Sequence, residues 1–142
     1  MVSESSAAAA PGLARGLLDT SVVIDLDLID DGRLPDETAI STITLAELAA
    51  GPHATSDVEE RSRRQDRLTW AASQWDSLPF DAAAARSYGR VYASVRGRGR
   101  ATRRRLADLL IAAIALANDL PLYTRNPADF EGLERLIAIH GV

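Results

Sequence analysis

The stretch that decides the fold is LLDTSVVI, residues 17–24, because its pattern changes from strand to helix within a few positions. The apolar residues before Asp19 suit a buried strand, and the polar residues after it suit the start of a helix. We therefore predict a strand at 15–19 and a helix that begins near Ser21 and continues to about Asp31. A strand that leads directly into a helix is the first half of a unit that builds parallel sheets.

The same alternation of strands and helices continues to the end of the chain. Further strands are predicted at 38–43, 120–124 and 136–139, and 77–80 is compatible with one more short strand. Helices are predicted at 44–50, 57–75, 81–95, 103–118 and 127–133. This order indicates an α/β domain in which a mainly parallel sheet lies between helical layers.

The composition limits the class of protein. The chain has 142 residues, of which 46% are hydrophobic, and this suits one compact domain. The absence of cysteine excludes disulfides, thiolate metal sites and cysteine nucleophiles. No apolar run reaches the ~18 residues that a membrane span needs. The N-terminus lacks the pattern of a secretory signal. We expect a cytoplasmic protein with a disordered tail at 1–13 and one domain at 14–142.

Four acidic residues lie beside apolar segments. Asp19, Glu47 and Asp129 each follow a predicted strand, and Asp108 lies in the first turns of the most apolar helix. Ligands of open parallel sheets collect at the carboxyl ends of the strands. Carboxylates beside a core are costly unless they are paired or bound. If the four converge, they form an all-oxygen site suited to Mg²⁺ or Mn²⁺.

Three of these acids also have a purely structural explanation. Asp19 could form an Asx turn or cap a helix. Thr44 and Glu47 match the capping box, with Thr44 as the N-cap. Asn126 precedes a proline and could begin a helix whose dipole favours Asp129.

Asp108 is harder to explain structurally. It shares a helix face with Ala112 and Ala115, whose small side chains allow close packing against the sheet. Its nearest local partner is Arg104, and a helical pair of this kind contributes only about 0.3–0.5 kcal/mol. We therefore favour a functional role for Asp108.

Together, four motifs resemble the PIN-domain ribonucleases, and among these the VapC-type toxins of bacterial toxin–antitoxin pairs. The motifs are LLDTS at 17–21, LAEL at 45–48, LADLLIAA at 106–113 and LYTRNPADF at 122–130. The resemblance covers about residues 16–142. It implies a three-layer α/β/α sandwich and a metal-dependent endoribonuclease that hydrolyses RNA phosphodiester bonds at a site holding Mg²⁺ or Mn²⁺.

The resemblance also implies which residues form the site. The acids that carry over as catalytic metal ligands are Asp19, Glu47 and Asp108. The fourth acid of the family falls near Asn126, which is not acidic, and Asp129 follows three residues later. Either Asn126 or Asp129 is therefore expected to be the fourth ligand. Thr124 is expected to orient a carboxylate or a water molecule.

Basic residues are concentrated in one segment. The net charge of −4 argues against nucleic acid as a partner, but six of the sixteen Arg lie between 96 and 105. A helix start near Asp108 favours phosphate contact by the last three, Arg103, Arg104 and Arg105. A solvated loop, or a site for an acidic antitoxin segment, would explain the cluster equally well.

The family further implies a cognate VapB-type antitoxin and a homodimer. The alternative is a catalytically inactive PIN-like binding module, which stays open because Asn126 stands where the family has an acid. Asp25 and Asp27 also imitate the motif of haloacid-dehalogenase-like phosphatases. Those enzymes and receiver domains need a Lys near the phosphoryl group, and the chain has no Lys, so we set them aside.

Overall fold

Four short strands and five α-helices account for most of residues 15–97 and 105–142, the part of the chain that the computed structural model describes. The strands are β1 (Arg15–Leu18), β2 (Glu37–Ala39), β3 (Leu122–Thr124) and β4 (Ile139–Gly141). The helices are α1 (Thr20–Ile24), α2 (Thr42–Ala50), α3 (Val58–Gln74), α4 (Ala82–Val95) and α5 (Leu106–Ala117). The tail predicted at 1–13 lies outside these residues.

All four strands pair in parallel, in the order β2-β1-β3-β4. Leu122 of β3 pairs with Leu17 on one side and with Ile139 on the other. Parallel pairing requires crossover connections between consecutive strands. Those from β1 to β2 and from β2 to β3 contain α-helices, and that from β3 to β4 contains a 3₁₀ turn at Pro127–Phe130. The predicted α/β class and the parallel sheet are confirmed.

Each face of the sheet carries its own hydrophobic core, because successive side chains of a strand point to opposite faces. Leu17 and Leu122 pack with residues of α4 and α5 in one cluster. Leu18 and Tyr123 pack with residues of α1, α2 and α3 in the other. The result is the predicted sandwich of helices, sheet and helices.

α5 is buried along most of its length, as its sequence predicts. Six of its twelve residues are buried, namely Leu109 and the five from Ile111 to Ala115. Small alanine side chains let α5 lie close to its neighbours. The first turn of this helix, which carries Asp108, is thereby fixed to the core of the domain.

The predicted helix from Ser21 to Asp31 is too long. α1 ends at Ile24, and short 3₁₀ turns follow at Leu26–Leu28 and Asp31–Arg33. No residue of either turn is buried, so a continued helix would have no apolar face to pack. Aspartates also favour turns over helix interiors, because their side chains compete for backbone groups.

Several other boundaries differ from the predictions. The strand predicted at 38–43 ends at Ala39, because Ser41 already caps α2. The segment predicted at 77–80 contributes a single bridge, between Leu78 and Ser41. The last strand, predicted at 136–139, begins three residues later and ends two residues later, at Ile139–Gly141. The helix predicted at 127–133 is a 3₁₀ turn at Pro127–Phe130.

In the described part of the chain, none of the helices combines the length and the apolar character that crossing a membrane requires.

Candidate active site

Asp19 lies directly after β1, and its position is fixed from two sides. Its backbone N–H donates to the carbonyl of Tyr123 over 2.9 Å, which joins the ends of β1 and β3. Its side chain is buried and makes no capping hydrogen bond to α1. Oδ2 instead accepts from the hydroxyl of Ser21 at 2.8 Å and from that of Thr124 at 2.9 Å. The helix-cap explanation for this carboxylate is therefore wrong.

Thr124 and Ser21 form a hydroxyl pair around Asp19. Thr124 is fully buried, and its Oγ1 also accepts the backbone N–H of Asn126 at 3.0 Å. Ser21 Oγ accepts the backbone N–H of Arg125 at 3.1 Å. Thr124 was predicted to orient a carboxylate, and it donates to one. The contact from Ser21 to Asp19 was not predicted. A hydroxyl residue two positions after an Asp at the end of a strand could have indicated it.

Glu47 projects from α2 toward the same region. Its Oε1 accepts from the hydroxyl of Thr20 at 2.5 Å, and that hydroxyl lies 2.9 Å from Oγ1 of Thr44. The capping-box explanation for Glu47 is wrong, because Ser41 is the N-cap and accepts the N–H of Thr44. Thr20 adjoins Asp19, so two neighbouring residues bring two carboxylates to one end of β1.

Asp108 lies in the first turn of α5 and is half-buried. Burial raises the pKa of its carboxyl, and the negative charges of Asp19, Asp129 and Glu47 raise it further, to about 7. Arg105 acts in the opposite direction and lowers this pKa. Interactions between charges weaken with distance, so the acids whose charges act on Asp108 lie near it. Four segments distant in sequence therefore place their acids in one region.

Asp129 and Asn126 differ in their surroundings. Both belong to the turn after β3, where Pro127 is the first residue of the 3₁₀ helix, as predicted. The Asn126 side chain is exposed and does not cap this helix. Asp129 is half-buried, and its charge acts on Asp108. Asp129 carries the charge that acts on Asp108, and the choice between the two residues as the fourth ligand stays a prediction.

The acids are close but are not arranged around a shared point. Within residues 15–97 and 105–142, no three His, Asp or Glu side chains are grouped as the ligands of one ion. The predicted set of metal ligands therefore stays a prediction. Like charges repel in a region of low dielectric, and hydroxyl groups hold Asp19 and Glu47 in their present positions.

The residues nevertheless suit a divalent cation in their chemistry. Every candidate ligand is an oxygen donor, which hard cations such as Mg²⁺ and Mn²⁺ prefer. After burial, the negative charges of Asp19, Asp129 and Glu47 also raise the pKa of Asp108. A bound cation would offset these charges.

Arg105 does not lie where an RNA-binding residue is expected. It is 3% exposed, and its Nη2 donates to the backbone carbonyls of Asp129 at 2.6 Å and Glu131 at 3.4 Å. A guanidinium held in this way is unavailable to an RNA phosphate, so the prediction for Arg105 is wrong. Arg103 and Arg104, for which the same contact was predicted, lie outside the described residues.

The fold and the site define a class: an α/β domain with an acidic cluster at the carboxyl edge of a parallel sheet. A family model for the PIN domain matches residues 16–135. The chain is 37% identical to Ribonuclease VapC5 of Mycobacterium tuberculosis over 124 residues, which cover 85% of this chain and 89% of the relative. It is 40% identical to Ribonuclease VapC8 of the same species over 103 residues, or 70% and 89% of the two chains.

A solved structure gives the same result. The crystal structure of VapBC-5, a toxin–antitoxin system of Mycobacterium tuberculosis, includes a chain that matches with a TM-score of 0.76 and 34% identity. The match covers 91% of this chain and 99% of that chain. The protein belongs to the PIN-domain family, and the resemblance to its VapC-type members is confirmed. PIN-domain ribonucleases generally depend on a divalent metal ion.

Proposed function

We propose that the protein is an endoribonuclease of the VapC type, which hydrolyses RNA phosphodiester bonds with Mg²⁺ or Mn²⁺ and acts as the toxin of a toxin–antitoxin pair. The observation that carries this proposal is the pair of hydrogen bonds, from Thr124 to Asp19 and from Thr20 to Glu47, that hold two carboxylates at the carboxyl end of β1. The ribonuclease relatives support the same reaction.

The acidic cluster suits the chemical difficulty of the reaction. A phosphodiester is anionic and has a poor leaving oxygen, so a carboxylate cluster alone would repel it. A divalent ion, when bound, offsets this charge, lowers the pKa of a bound water and stabilises the leaving oxygen. The role of the protein is to fix the carboxylates and to leave room for RNA.

The hydrogen bonds to Asp19 and Glu47 fit this role. Both hydroxyls that donate to Asp19 use Oδ2, so Oδ1 accepts no hydrogen bond from the described residues. Thr20 donates to Oε1 of Glu47, and Oε2 is similarly without a donor in this part of the chain. One oxygen of each carboxylate is therefore anchored while the other is available as a ligand, as expected when outer groups orient metal-binding side chains.

The remaining acids complete the proposed site. Asp108 and Asp19 are direct ligands, and Glu47 holds a second ion or orients the attacking water. Asp129 is the fourth ligand, because its charge acts on Asp108 whereas Asn126 is exposed. Thr124 supports Asp19 through its hydroxyl. All four acids are thus assigned to catalysis.

A VapC-type toxin is proposed to have three partners: an RNA substrate, a VapB-type antitoxin and a second copy of the chain. The proposed location is the cytoplasm. Growth arrest on expression, relieved by co-expression of an acidic-rich gene directly upstream, would support the toxin role. A light-scattering mass near that of one chain would contradict the homodimer.

A PIN-like binding module without activity is the second candidate. Among the described residues, no three His, Asp or Glu side chains are grouped as the ligands of one ion, and this favours the inactive module. A cleavage assay separates the two candidates, because only the ribonuclease requires a divalent ion and intact carboxylates.

The assay compares RNA cleavage by the wild type with that by Asp19→Asn and Asp108→Asn, with Mg²⁺, with Mn²⁺ and with chelator. The matched control is Asp119→Asn, at the other end of α5 and roughly 16 Å away along the helix axis. Asp119 has a φ of 54°, which Asn also tolerates. We expect cleavage by the wild type and the control only. Metal-independent cleavage, or full activity in both active-site variants, would overturn the proposal.

A further inference from the structure

Arg105 is a buried cation beside the acidic cluster, and the reaction as proposed gives it no role. It lies three residues before Asp108, directly ahead of α5, and lowers the pKa of that carboxyl. Its Nη2 donates to the carbonyl of Asp129 at 2.6 Å. It therefore contacts the segments that carry two of the four acids.

The burial of Arg105 is not explained by stability alone. Its Nε is buried and has no hydrogen-bond partner within the described residues. An unsatisfied buried donor is unfavourable, and a charged one more so. An apolar residue of similar size would avoid this cost. A buried cation that remains incompletely satisfied next to a cluster of acids indicates a functional constraint.

The contacts of Arg105 fix one acidic segment relative to another. The carbonyl of Asp129 belongs to the 3₁₀ turn after β3, and that of Glu131, at 3.4 Å, directly follows this turn. Arg105 itself precedes the rigid, buried helix that carries Asp108. The guanidinium thereby attaches the Asp129 turn to the start of α5.

We propose that Arg105 is a positioning residue that sets the location of Asp129 relative to Asp108, so that both carboxylates can reach one divalent cation. This inference rests on the proposed function, since it concerns the same metal site. Arg105 acts through the backbone of the Asp129 turn and does not touch RNA or the cation. Outer groups of this kind typically alter metal affinity or activity by ~10–100-fold when they are removed.

The test measures Mn²⁺ binding by calorimetry on the full, metal-free chain, without RNA. We expect Arg105→Gln to bind Mn²⁺ ~10–100-fold more weakly than the wild type. Arg105→Lys keeps the charge and one donor for the Asp129 carbonyl, so it should recover much of the loss. The matched control is Arg61→Gln, because Arg61 also donates to two backbone carbonyls, those of Pro52 and Thr55. This control should bind Mn²⁺ as the wild type does.

A double-mutant cycle with Asp129→Asn separates positioning from a general loss of structure. If Arg105 acts through Asp129, adding Arg105→Gln to Asp129→Asn should weaken binding by less than about twofold. Circular dichroism checks the fold of each variant. If Arg105→Gln does not fold, Arg105→Met, which has an apolar side chain of similar length and no donor, replaces it in the cycle.

The outcomes distinguish the two proposals. Independent, multiplicative effects of the two changes would overturn the role of Arg105 and leave the metal site intact. Wild-type affinity in folded Arg105→Gln would do the same. A wild-type chain that binds no Mn²⁺ would overturn the proposed function together with this inference.

Discussion

The hydroxyl of Thr124 donates a 2.9 Å hydrogen bond to Oδ2 of Asp19, across 105 positions of sequence. The two residues end neighbouring parallel strands, and the backbone bond from Asp19 to Tyr123 fixes their register. The bond is buried and anchors one carboxylate oxygen at the edge of the sheet. The architecture of the sheet thus fixes the position of Asp19 at the carboxyl end of β1.

Replacing Thr124 by Val should weaken activity and stability together. The change removes the donor to Asp19 while it keeps the shape of the side chain. We expect a loss of about 10–100-fold in RNA cleavage, because the carboxylate is no longer oriented. We also expect a loss of about 1–3 kcal/mol in the free energy of unfolding, from buried groups left without a partner. Urea denaturation and a cleavage assay measure the two effects. Thr124→Ser keeps the hydroxyl and serves as the control; if it is as impaired as Val, the hydrogen bond is not the cause.

Replacing Thr20 by Val should affect activity more than stability. The bond from Thr20 holds Glu47, whose side chain is exposed, so little of the folding free energy depends on it. We expect about a tenfold loss of cleavage and a stability change below about 1 kcal/mol. Thr69→Val, an exposed position on α3, is the matched control and should retain full activity. Unchanged cleavage by Thr20→Val would show that Glu47 needs no anchor.

Asp108 should make the metal-free protein less stable as the pH rises. Its pKa is raised from 3.8 to about 7 in the folded chain, so the folded state holds a proton that the unfolded state releases. The contribution of this proton to stability is fully present below about pH 4 and is lost by about pH 7. Thermal melting in chelator should show this decline, and Asp108→Asn should reduce it. Mn²⁺ should restore stability at pH 7 to 8 in the wild type. If Asp108→Asn shows the same pH dependence of stability as the wild type, Asp108 is not its cause.

Ser41→Ala tests the observed cap of α2. The Ser41 hydroxyl accepts the N–H of Thr44, and loss of such a cap typically lowers stability by about 0.5–2 kcal/mol. Asp57→Ala removes the corresponding cap of α3 and should cost a similar amount. Because α2 carries Glu47, Ser41→Ala should also raise the metal concentration needed for cleavage, whereas Asp57→Ala should not. Equal metal requirements in the two variants would contradict this link.

The sequence predicts those features of the site that depend on local pattern. The apolar run before Asp19 and the apolar helix around Asp108 are read directly from hydrophobic periodicity. Parallel strands then require the acids that follow them to lie at one edge. The α/β class and the approach of the acids in space could therefore be predicted.

The features that the sequence does not reveal depend on contacts between distant residues. The bonds from Thr124 to Asp19 and from Thr20 to Glu47 join positions 105 and 27 residues apart. The burial of Arg105 was missed because a run of arginines is typical of an exposed segment, whereas its partners are backbone carbonyls 24 and 26 residues away. Ser41 was missed as the N-cap because only Thr44 is followed three residues later by a Glu, the pattern of the capping box.

A crystal of the wild-type protein soaked in Mn²⁺ tests the central claim most directly, because anomalous scattering locates the ion itself. We predict a peak within bonding distance of Oδ1 of Asp19 and the carboxylate of Asp108, with Asp129 turned toward it. The same soak of Asp108→Asn should show the peak weakened or lost. A fully soaked wild-type crystal with no ion among these acids would contradict a shared cation site.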